Sequence, residues 1–420
     1  MKGIFIILDG VADLPCTQLN NQTPLEAAKT PNLDKIAHRS QINYCFPIRE
    51  NIAPESHKAI LSLLGYNPTE IQRGPLEALG ANIKILPGDL ALRTNFATID
   101  DLESRTILDR RAGRTLSTKE AKILANTINK NLKLPYKFEF RPTIQHRGVL
   151  ILRGGFSDNI TNVDPGYAGG LSRSSASEKL NFSHSADDED DSRIAAELLN
   201  NFVRSSHHLL DKHPLNQKRA RKGLYAANII LCRDAGNKPV RLKKIKGKWI
   251  ALAYMPLEKG IAKATNMAIY TFKYPKLKNI NIYATLDEGL KKATKYARKM
   301  LKKYKNKYDF FFIHIKETDL PGHDNKPHEK VKMIEFIDEQ LFSNIAQILE
   351  KNPNTKLLLT ADHTTACTKK AHTSDPVPVL FYNPQKQQTA KHRFTEKHAL
   401  RGKKIYGQSL LESTILRKGN

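Results

Sequence analysis

The sequence has little cysteine and no long hydrophobic run. Its four cysteines are widely spaced along the chain: Cys16, Cys45, Cys232 and Cys367. This spacing indicates neither a disulfide scaffold nor a zinc knuckle. No apolar run approaches the ~20 residues that a membrane span requires. The first run ends at Asp9 after five apolar residues, which is too short for the core of a signal peptide. We therefore expect a cytoplasmic protein that does not bind membranes.

Acidic residues are scarce relative to basic residues. The chain has 68 Lys and Arg against 42 Asp and Glu, a formal net charge of +26, and most of the excess lies in residues 241–420. A field of this sign attracts anions, including small phosphorylated metabolites and nucleic acids. In the Lys-rich segment 288–304, apolar residues recur at helical spacing between the charges, which predicts a solvated helix face. A nucleic-acid partner is disfavoured because no basic motif with interleaved aromatic residues accompanies the charge.

The length predicts two domains, or one large domain with an insertion, because a single hydrophobic core stops growing near ~250–300 residues. Short apolar runs typical of buried strands alternate with helical segments near both ends of the chain. The predicted strands cover residues 4–8, 310–315, 356–360 and 377–381, and a predicted helix covers residues 330–349. This alternation predicts an α/β fold with a mostly parallel sheet covered by helices.

The middle of the chain has a different pattern. Its predicted strands cover residues 89–98, 149–153 and 228–232, and a predicted helix covers residues 194–210. Residues 157–193 are rich in Ser, Gly, Asn and Asp, and they have too little apolar surface to offset the entropy of ordering, so we interpret them as a long mobile loop. We therefore predict a core domain of residues 1–85 and 240–420, interrupted by a smaller inserted α+β domain of residues 86–239.

Acids, imidazoles and one hydroxyl lie at four points that follow predicted strands or lie in turns. These points are Asp9, Ser56, the pair Asp319 and His323, and the group Asp362, His363 and His372. Carboxylates and imidazoles together suit zinc, manganese or similar divalent ions. Two such ions can activate a nucleophile and stabilise the oxygens of an in-line phosphoryl displacement.

Each of these signals has a plainer explanation when it is taken alone. An isolated Asp-His pair is mostly a turn with a hydrogen-bonded histidine, and a loop serine usually bonds the backbone. Asp319 and His323 have the i, i+4 spacing of helix neighbours, but Pro321 and Gly322 between them favour a loop. Other histidines compete as ligands: His57, His146, His184, His207, His208 and His398. The occurrence of the whole set in one order is what favours a metal site.

In this order, the motifs resemble those of the archaeal-type cofactor-independent phosphoglycerate mutases, which are members of the alkaline phosphatase superfamily. The resemblance covers nearly the full length. It includes Asp319-x-x-Gly-His323-Asp and His372-x-x-Asp-Pro-Val-Pro-Val379. Its other segments are residues 7–13, 61–68, 73–80, 95–100, 109–114, 146–153 and 362–363.

The resemblance implies an alkaline-phosphatase-like core and two divalent cations, manganese first, with magnesium, cobalt or zinc as alternatives. The ligands implied for one cation are Asp319, His323 and His372. The ligands implied for the other cation are Asp9, Asp362, His363 and the hydroxyl of Ser56. The family's nucleophile falls on Ser56. A metal lowers the pKa of an oxygen ligand, which would turn this hydroxyl into a nucleophile.

The implied reaction is the interconversion of 3-phosphoglycerate and 2-phosphoglycerate through a phosphoserine, a step of glycolysis and gluconeogenesis. A closing inserted domain would exclude water between the two transfers and supply cations for the substrate. Our candidates from the matched motifs are Arg110, Arg111, Arg114, His146 and Arg147. We add Arg233 because it follows a predicted strand.

The segment around Ser56 departs from the family pattern. The family usually has Pro-Gly-Ser-Asp-x-Ala-His, whereas this chain has Pro54-Glu-Ser-His-Lys-Ala-Ile60. Glu55 replaces a glycine, so any left-handed backbone there would be strained. Two alternatives to the mutase stay open. One is a related metal-dependent phosphomonoesterase or phosphotransferase that acts on another small phosphorylated metabolite. The other is a non-enzymatic protein that binds anions or nucleic acid, favoured only by the charge. The sequence does not indicate an oligomeric state.

Overall fold

An eight-stranded sheet and a five-stranded sheet organise the chain, and helices pack around both. The computed structural model describes residues 1–166, 179–187, 189–277, 281–386 and 391–417. The strands are β1 (Gly3–Leu8), β2 (Gln41–Phe46), β3 (Leu90–Ile99), β4 (Ile107–Asp109), β5 (Phe138–Pro142), β6 (Arg147–Leu152), β7 (Ile229–Gly236), β8 (Trp249–Leu252), β9 (Ala268–Tyr270), β10 (Phe310–Ile315), β11 (Lys356–Thr360), β12 (Thr364–Ala366), β13 (Ala371–Thr373), β14 (Val377–Tyr382) and β15 (Lys404–Tyr406).

The helices differ widely in length, from single turns to more than six turns. They are α1 (Pro24–Ala27), α2 (Pro31–Ala37), α3 (Ser56–Leu63), α4 (Arg73–Gly80), α5 (Thr118–Asn131), α6 (Asp190–Asp211), α7 (Pro214–Arg221), α8 (Pro256–Ala264), α9 (Ile282–Tyr304), α10 (Asp319–His323), α11 (Pro327–Ile337), α12 (Ser343–Lys351), α13 (Glu396–Ala399) and α14 (Gly407–Ser413). A π-helical turn, Asp338–Phe342, joins α11 to α12. In the described part of the chain, none of the helices combines the length and apolar character that a bilayer crossing would need.

The large sheet has the strand order β15-β2-β14-β11-β1-β10-β8-β9. Strand β1 lies between β10 and β11 and is parallel to both, whereas β14 is antiparallel to β11 and β2. All six residues of β1 are buried, as expected for a strand that is covered on both faces. The predicted α/β fold with a mostly parallel sheet is therefore confirmed.

The register of the large sheet brings three strand ends together. Leu8 at the end of β1 pairs with Ile315 at the end of β10, and Ile7 pairs with Thr360 at the end of β11. The residues that follow these strands consequently meet at one edge of the sheet, where open α/β sheets place their ligands.

The five-stranded sheet is antiparallel, with the order β4-β3-β6-β5 and with β7 paired to β3. Helix α4 links it to the large sheet, because α4 packs against α8 on one side and against β3 and β7 on the other. Two of these contacts are so close that only glycine fits at the position in α4. A Cβ at Gly80 would overlap the carbonyl oxygen of Pro256, and a Cβ at Gly74 would overlap that of Ala91. Backbone contacts of this closeness fix the small sheet against the large one.

The predicted domain boundaries near residues 85 and 240 fall in the connections α4–β3 and β7–β8. That the two parts are separate domains stays a prediction. In the segment predicted as a mobile loop, α6 already begins at Asp190, where acidic residues in the first turn favour a helix start. That part of the loop prediction was wrong. Residues 167–178 and 188 of the same segment lie outside the described residues.

Candidate active site

The side chains predicted to bind metal meet at the edge where β1, β10 and β11 end. Asp9 follows β1, and Asp362 and His363 follow β11. After β10, the short helix α10 carries Asp319 and His323. The hairpin β12–β13 carries His372, and Ser56 is the first residue of α3.

The first donor group consists of Asp9, Asp362 and His363, which are all buried. His363 Nε2 lies 3.4 Å from Asp9 Oδ1 and 3.3 Å from Asp362 Oδ2. Neither of these two oxygens has a hydrogen-bond partner among the described residues. Burial and the neighbouring Asp362 carboxylate raise the pKa of Asp9 to about 6. Asp9 Oδ2 pairs with the Lys316 ammonium, but Asp9 Oδ1 and Asp362 Oδ2 are costly to bury without a partner, so this group fits a divalent ion.

The second donor group consists of Asp319, His323 and His372. The Nε2 atoms of His323 and His372 lie 3.4 Å and 3.7 Å from the Asp319 carboxylate. Burial lowers the pKa of His372 to about 4, so its imidazole is neutral, the form that binds metal. Donor atoms of Asp319, His363 and His372 also lie within 4.8 Å of one another, so His363 stands between the two groups.

Each of the three imidazoles is oriented through its other nitrogen. Nδ1 of His372 hydrogen-bonds the carbonyl oxygen of Pro54 at 2.8 Å, and Nδ1 of His323 hydrogen-bonds that of Lys370 at 3.1 Å. Nδ1 of His363 lies 2.9 Å from Thr365 Oγ1. These contacts leave every Nε2 facing the carboxylates. Such orienting partners are usual for metal-binding histidines.

Asp319 and His323 lie on one helical turn, so the loop expected from Pro321 and Gly322 was wrong. Pro321 lies in the first turn of α10, where a missing N–H leaves no helical hydrogen bond unmade. Gly322 lies where a Cβ would press against Thr365. The proline and the glycine therefore fit a short helix that is pressed against β12.

Ser56 lies against the first donor group at the N-terminus of α3. Its Oγ is 3.1 Å from His363 Nε2. The neighbouring Glu55 has an extended backbone, with φ of −85° and ψ of 143°, so the strain expected there is absent. His57 is buried, and burial lowers its pKa to about 3. The substitutions around Ser56 therefore leave the serine at the N-terminus of a regular helix, where the helix dipole favours an anion.

A cleft of about 170 Å³ opens beside Ser56 and both donor groups. Four of the predicted substrate-binding residues line it: Arg111, Arg114, His146 and Arg147. Arg110 is not among the cleft-lining residues in the described part of the chain, and its Nε donates to Asp164 Oδ1 at 2.9 Å. A volume of this size suits a small metabolite.

Arg233 lies behind the cleft wall. It is almost fully buried, and its Nη1 is 3.1 Å from Glu55 Oε2 and 3.1 Å from Asp234 Oδ2. The strand end predicted just before it was wrong, because β7 continues to Gly236. Glu55, which lines the cleft, lies between Ser56 and this guanidinium.

Several cleft residues were missed in the sequence. Arg73 and Arg93 line the cleft, with their Nε atoms 3.1 Å and 3.5 Å from Glu77 Oε1. Lys316 also lines it and forms ion pairs with Asp9 and Glu258. Arg73 lies in the matched segment 73–80, and Lys316 follows β10 directly. The position of Lys316 after a strand could have identified it, whereas Arg93 lies inside β3 and has no such signal.

Comparisons with known proteins identify the family of this chain. Residues 37–216 match the family model "2,3-bisphosphoglycerate-independent phosphoglycerate mutase", and residues 272–414 match the model "Alkaline phosphatase". The chain is 38% identical to the 2,3-bisphosphoglycerate-independent phosphoglycerate mutase of Thermococcus gammatolerans, over 96% of this chain and 93% of that protein.

Two solved structures extend the similarity to the fold. A protein from Pyrococcus horikoshii superposes with a TM-score of 0.73 at 30% identity, covering 100% of this chain and 98% of the other. The cofactor-independent phosphoglycerate mutase of Thermoplasma acidophilum superposes with a TM-score of 0.56 at 26% identity, covering 100% of both chains. The resemblance inferred from the motifs is therefore confirmed. This chain belongs to the family of 2,3-bisphosphoglycerate-independent phosphoglycerate mutases, which are isomerases with an alkaline-phosphatase-like fold.

Proposed function

We propose that this chain interconverts 3-phosphoglycerate and 2-phosphoglycerate through a phosphoserine at Ser56, as a step of glycolysis and gluconeogenesis. The observation that carries the proposal is the position of the Ser56 hydroxyl. It lies 3.1 Å from His363 Nε2, beside two groups of carboxylates and imidazoles, and it faces a small cleft lined by arginines. The cytoplasmic location stays a prediction from the sequence.

Two divalent cations fit the donor groups. Asp9, Asp362, His363 and Ser56 would hold one of them, and Asp319, His323 and His372 would hold the other. The mixture of carboxylate and imidazole suits manganese, with magnesium, cobalt or zinc as alternatives. When bound, the cations would lower the pKa of the serine hydroxyl and offset the charge that develops on the phosphoryl oxygens.

Ser56 would carry the phosphoryl group between the two positions of glycerate. In the first transfer the Ser56 hydroxyl loses its proton, its Oγ bonds to phosphorus, the bond from phosphorus to O3 breaks, and O3 takes up a proton. Glycerate then turns within the cleft. Its 2-hydroxyl oxygen attacks the phosphoserine, the bond from phosphorus to Oγ breaks, and 2-phosphoglycerate forms while the serine is restored.

Cations on the cleft wall would bind the carboxylate and phosphate of the substrate. Arg111, Arg114, His146 and Arg147 line the cleft, and guanidinium groups pair with both kinds of anion through two hydrogen bonds. Arg110 would act indirectly, by holding Asp164. The ion pairs Arg114–Asp324 and Arg233–Glu55 connect the predicted insert to the predicted core. An insert held in this way would exclude water between the two transfers.

The proposal is tested with the purified full-length chain, manganese and 3-phosphoglycerate, without added bisphosphoglycerate. Phosphorus NMR separates the two phosphoglycerates from free phosphate. We expect 2-phosphoglycerate to form until equilibrium is reached, with little release of phosphate. Release of phosphate without isomerisation would contradict the proposal, and so would the absence of any turnover.

A second candidate function is favoured by one specific observation. The Glu55 carboxylate lies in the cleft next to Ser56, where the family usually has glycine, and it is ion-paired with Arg233. It adds a negative charge close to the site of a substrate that is itself an anion with two acidic groups. A phosphomonoesterase or phosphotransferase that acts on a metabolite with fewer acidic groups would tolerate this carboxylate better.

Replacing Glu55 tests whether its carboxylate opposes the binding of 3-phosphoglycerate, which is the observation that favours the second function. If the mutase assignment holds, Glu55→Gly should lower the KM for 3-phosphoglycerate by about tenfold because a like charge is removed, with kcat nearly unchanged. Steady-state kinetics measure both constants. Glu55→Gln is the matched control, since it removes the charge and keeps the shape, and it should have the same effect. An unchanged or higher KM in both variants would show that the carboxylate does not oppose the substrate.

A further inference from the structure

Two of the cysteines meet just beneath the protein surface. Cys16 lies in the segment that follows β1, and Cys367 directly follows β12. Their sulfur atoms and a carboxylate oxygen of Asp13 all lie within 4.8 Å of one another. Both cysteines are buried, yet the adjacent residues Pro15 and Thr17 and the segment 368–370 are exposed. With Leu19 they form a small apolar cluster that is separate from the main core.

Two thiols and a carboxylate could in principle bind a metal ion, but the contacts of Asp13 argue against a metal site here. Its Oδ1 accepts the N–H groups of Leu14 at 2.8 Å and Cys367 at 2.9 Å. Its Oδ2 accepts the Lys330 ammonium at 2.7 Å, and Lys330 is fully buried. An ion that took over Asp13 would leave this buried ammonium without its carboxylate, which costs several kcal/mol in general. Metal binding at this cluster is therefore disfavoured, and the groups that remain free to react are the two thiols.

The two thiols are not equivalent. Cys16 Sγ donates to the carbonyl oxygen of Leu14 at 3.3 Å, and Cys367 Sγ donates to that of Pro321 at 3.8 Å. The interaction between the two thiols lowers the pKa of Cys16 and raises the pKa of Cys367. Cys16 therefore loses its proton more readily than Cys367, and the Cys367 sulfur lies close enough to react with it. Cys45 and Cys232 differ from this pair, because they lie within β2 and β7 and burial raises the pKa of both. A nucleophilic thiol beside a second thiol is the arrangement that forms a disulfide on oxidation.

We propose that Cys16 and Cys367 form a reversible intramolecular disulfide when the protein meets a peroxide. The Cys16 thiolate attacks one peroxide oxygen, the O–O bond breaks, and a sulfenic acid and hydroxide form; the hydroxide takes up a proton and leaves as water. The Cys367 sulfur then attacks the Cys16 sulfur, the S–O bond breaks, and a second water leaves. In total, two thiols and one hydrogen peroxide give one disulfide and two waters.

The disulfide would join segments that carry the candidate metal ligands. Residues 10–16 follow Asp9, and Cys367 lies between His363 and His372. Its sulfur is also 3.8 Å from the carbonyl oxygen of Pro321 in α10. The bond would link positions far apart in sequence and would therefore restrict the unfolded chain strongly. Its first effect is on stability, so the proposal does not depend on the proposed function.

The test is peptide mapping of the full-length protein, reduced and then treated with a stoichiometric amount of hydrogen peroxide. We expect a cross-linked peptide pair that contains Cys16 and Cys367, whereas Cys45 and Cys232, which are buried in the folded protein, should be alkylated as free thiols after denaturation. The melting temperature should rise by about 5 °C and return on addition of dithiothreitol. Cys16→Ser and Cys367→Ser should each lose this rise, whereas Cys45→Ser should keep it.

Two results would overturn the proposal. One is a peroxide-treated protein without a cross-link, in which either all four thiols are still free or Cys16 is overoxidised. The other is a metal ion that native mass spectrometry finds on the reduced protein and that is lost in Cys16→Ser. Peptide mapping of the unmodified sequence detects the presence or absence of the cross-link even if a serine variant fails to fold.

Discussion

In the variant Ser56→Ala, interconversion of the phosphoglycerates should fall by at least about 10⁴-fold, because the proposed phosphoryl acceptor is removed. His363 Nε2 and both donor groups would remain, so the substrate should still bind. We therefore expect a loss in kcat with little change in the dissociation constant for 3-phosphoglycerate. Stopped assays of turnover and calorimetry of binding measure the two quantities separately.

A matched control for this variant lies on the same helix. Ser62 is buried in α3, and its hydroxyl has no hydrogen-bond partner among the described residues. Ser62→Ala should leave turnover within about twofold, since removing an unsatisfied buried hydroxyl costs little. In the unmodified protein, mass spectrometry after rapid acid quenching should find phosphate on Ser56. Retention of appreciable turnover by Ser56→Ala would show that another residue carries the phosphoryl group.

The second large effect is expected on removal of divalent cations. Chelation should abolish turnover, because the carboxylates of Asp9, Asp362 and Asp319 would then face the incoming phosphate without two divalent cations, and the Lys316 ammonium that pairs with Asp9 cannot replace them. Added manganese should restore activity, with two ions bound per chain by elemental analysis. Full turnover after exhaustive chelation would contradict a metal-dependent mechanism.

Single substitutions should show which of the two donor groups binds which cation. Asp362→Asn should lose one bound ion and Asp319→Asn the other, with manganese affinity at the affected site at least about 100-fold weaker. Glu329→Gln is the control, since Glu329 pairs with Lys332 on the surface and should retain both ions. Loss of both ions in either variant would indicate a single shared site.

The parts of the fold that could be predicted are those with a strong local pattern. The strand β1 is a continuous apolar run, and such runs predict buried parallel strands. Strand ends in these sheets meet at one edge, so the acids after β1 and β11 could be placed together before the structure was known. The helix α10 was missed because proline usually breaks a helix. Pro321 is tolerated here because it lies in the first turn of α10.

The parts that could not be predicted depend on packing between distant segments. The cleft residues Arg73 and Arg93 are brought to Ser56 by the position of α4 between the two sheets. The orienting partners of the histidines are largely backbone carbonyl oxygens, such as those of Pro54 and Lys370. A carbonyl group is present at every residue, so it leaves no signal in the sequence.

Anomalous diffraction at the manganese edge, from crystals of the full-length protein grown with manganese, tests most directly how the proposed ligands are arranged. We predict two peaks beside Ser56, one bounded by Asp9, Asp362 and His363 and the other by Asp319, His323 and His372. A single peak, or peaks bound by other side chains away from Ser56, would contradict the two-cation site.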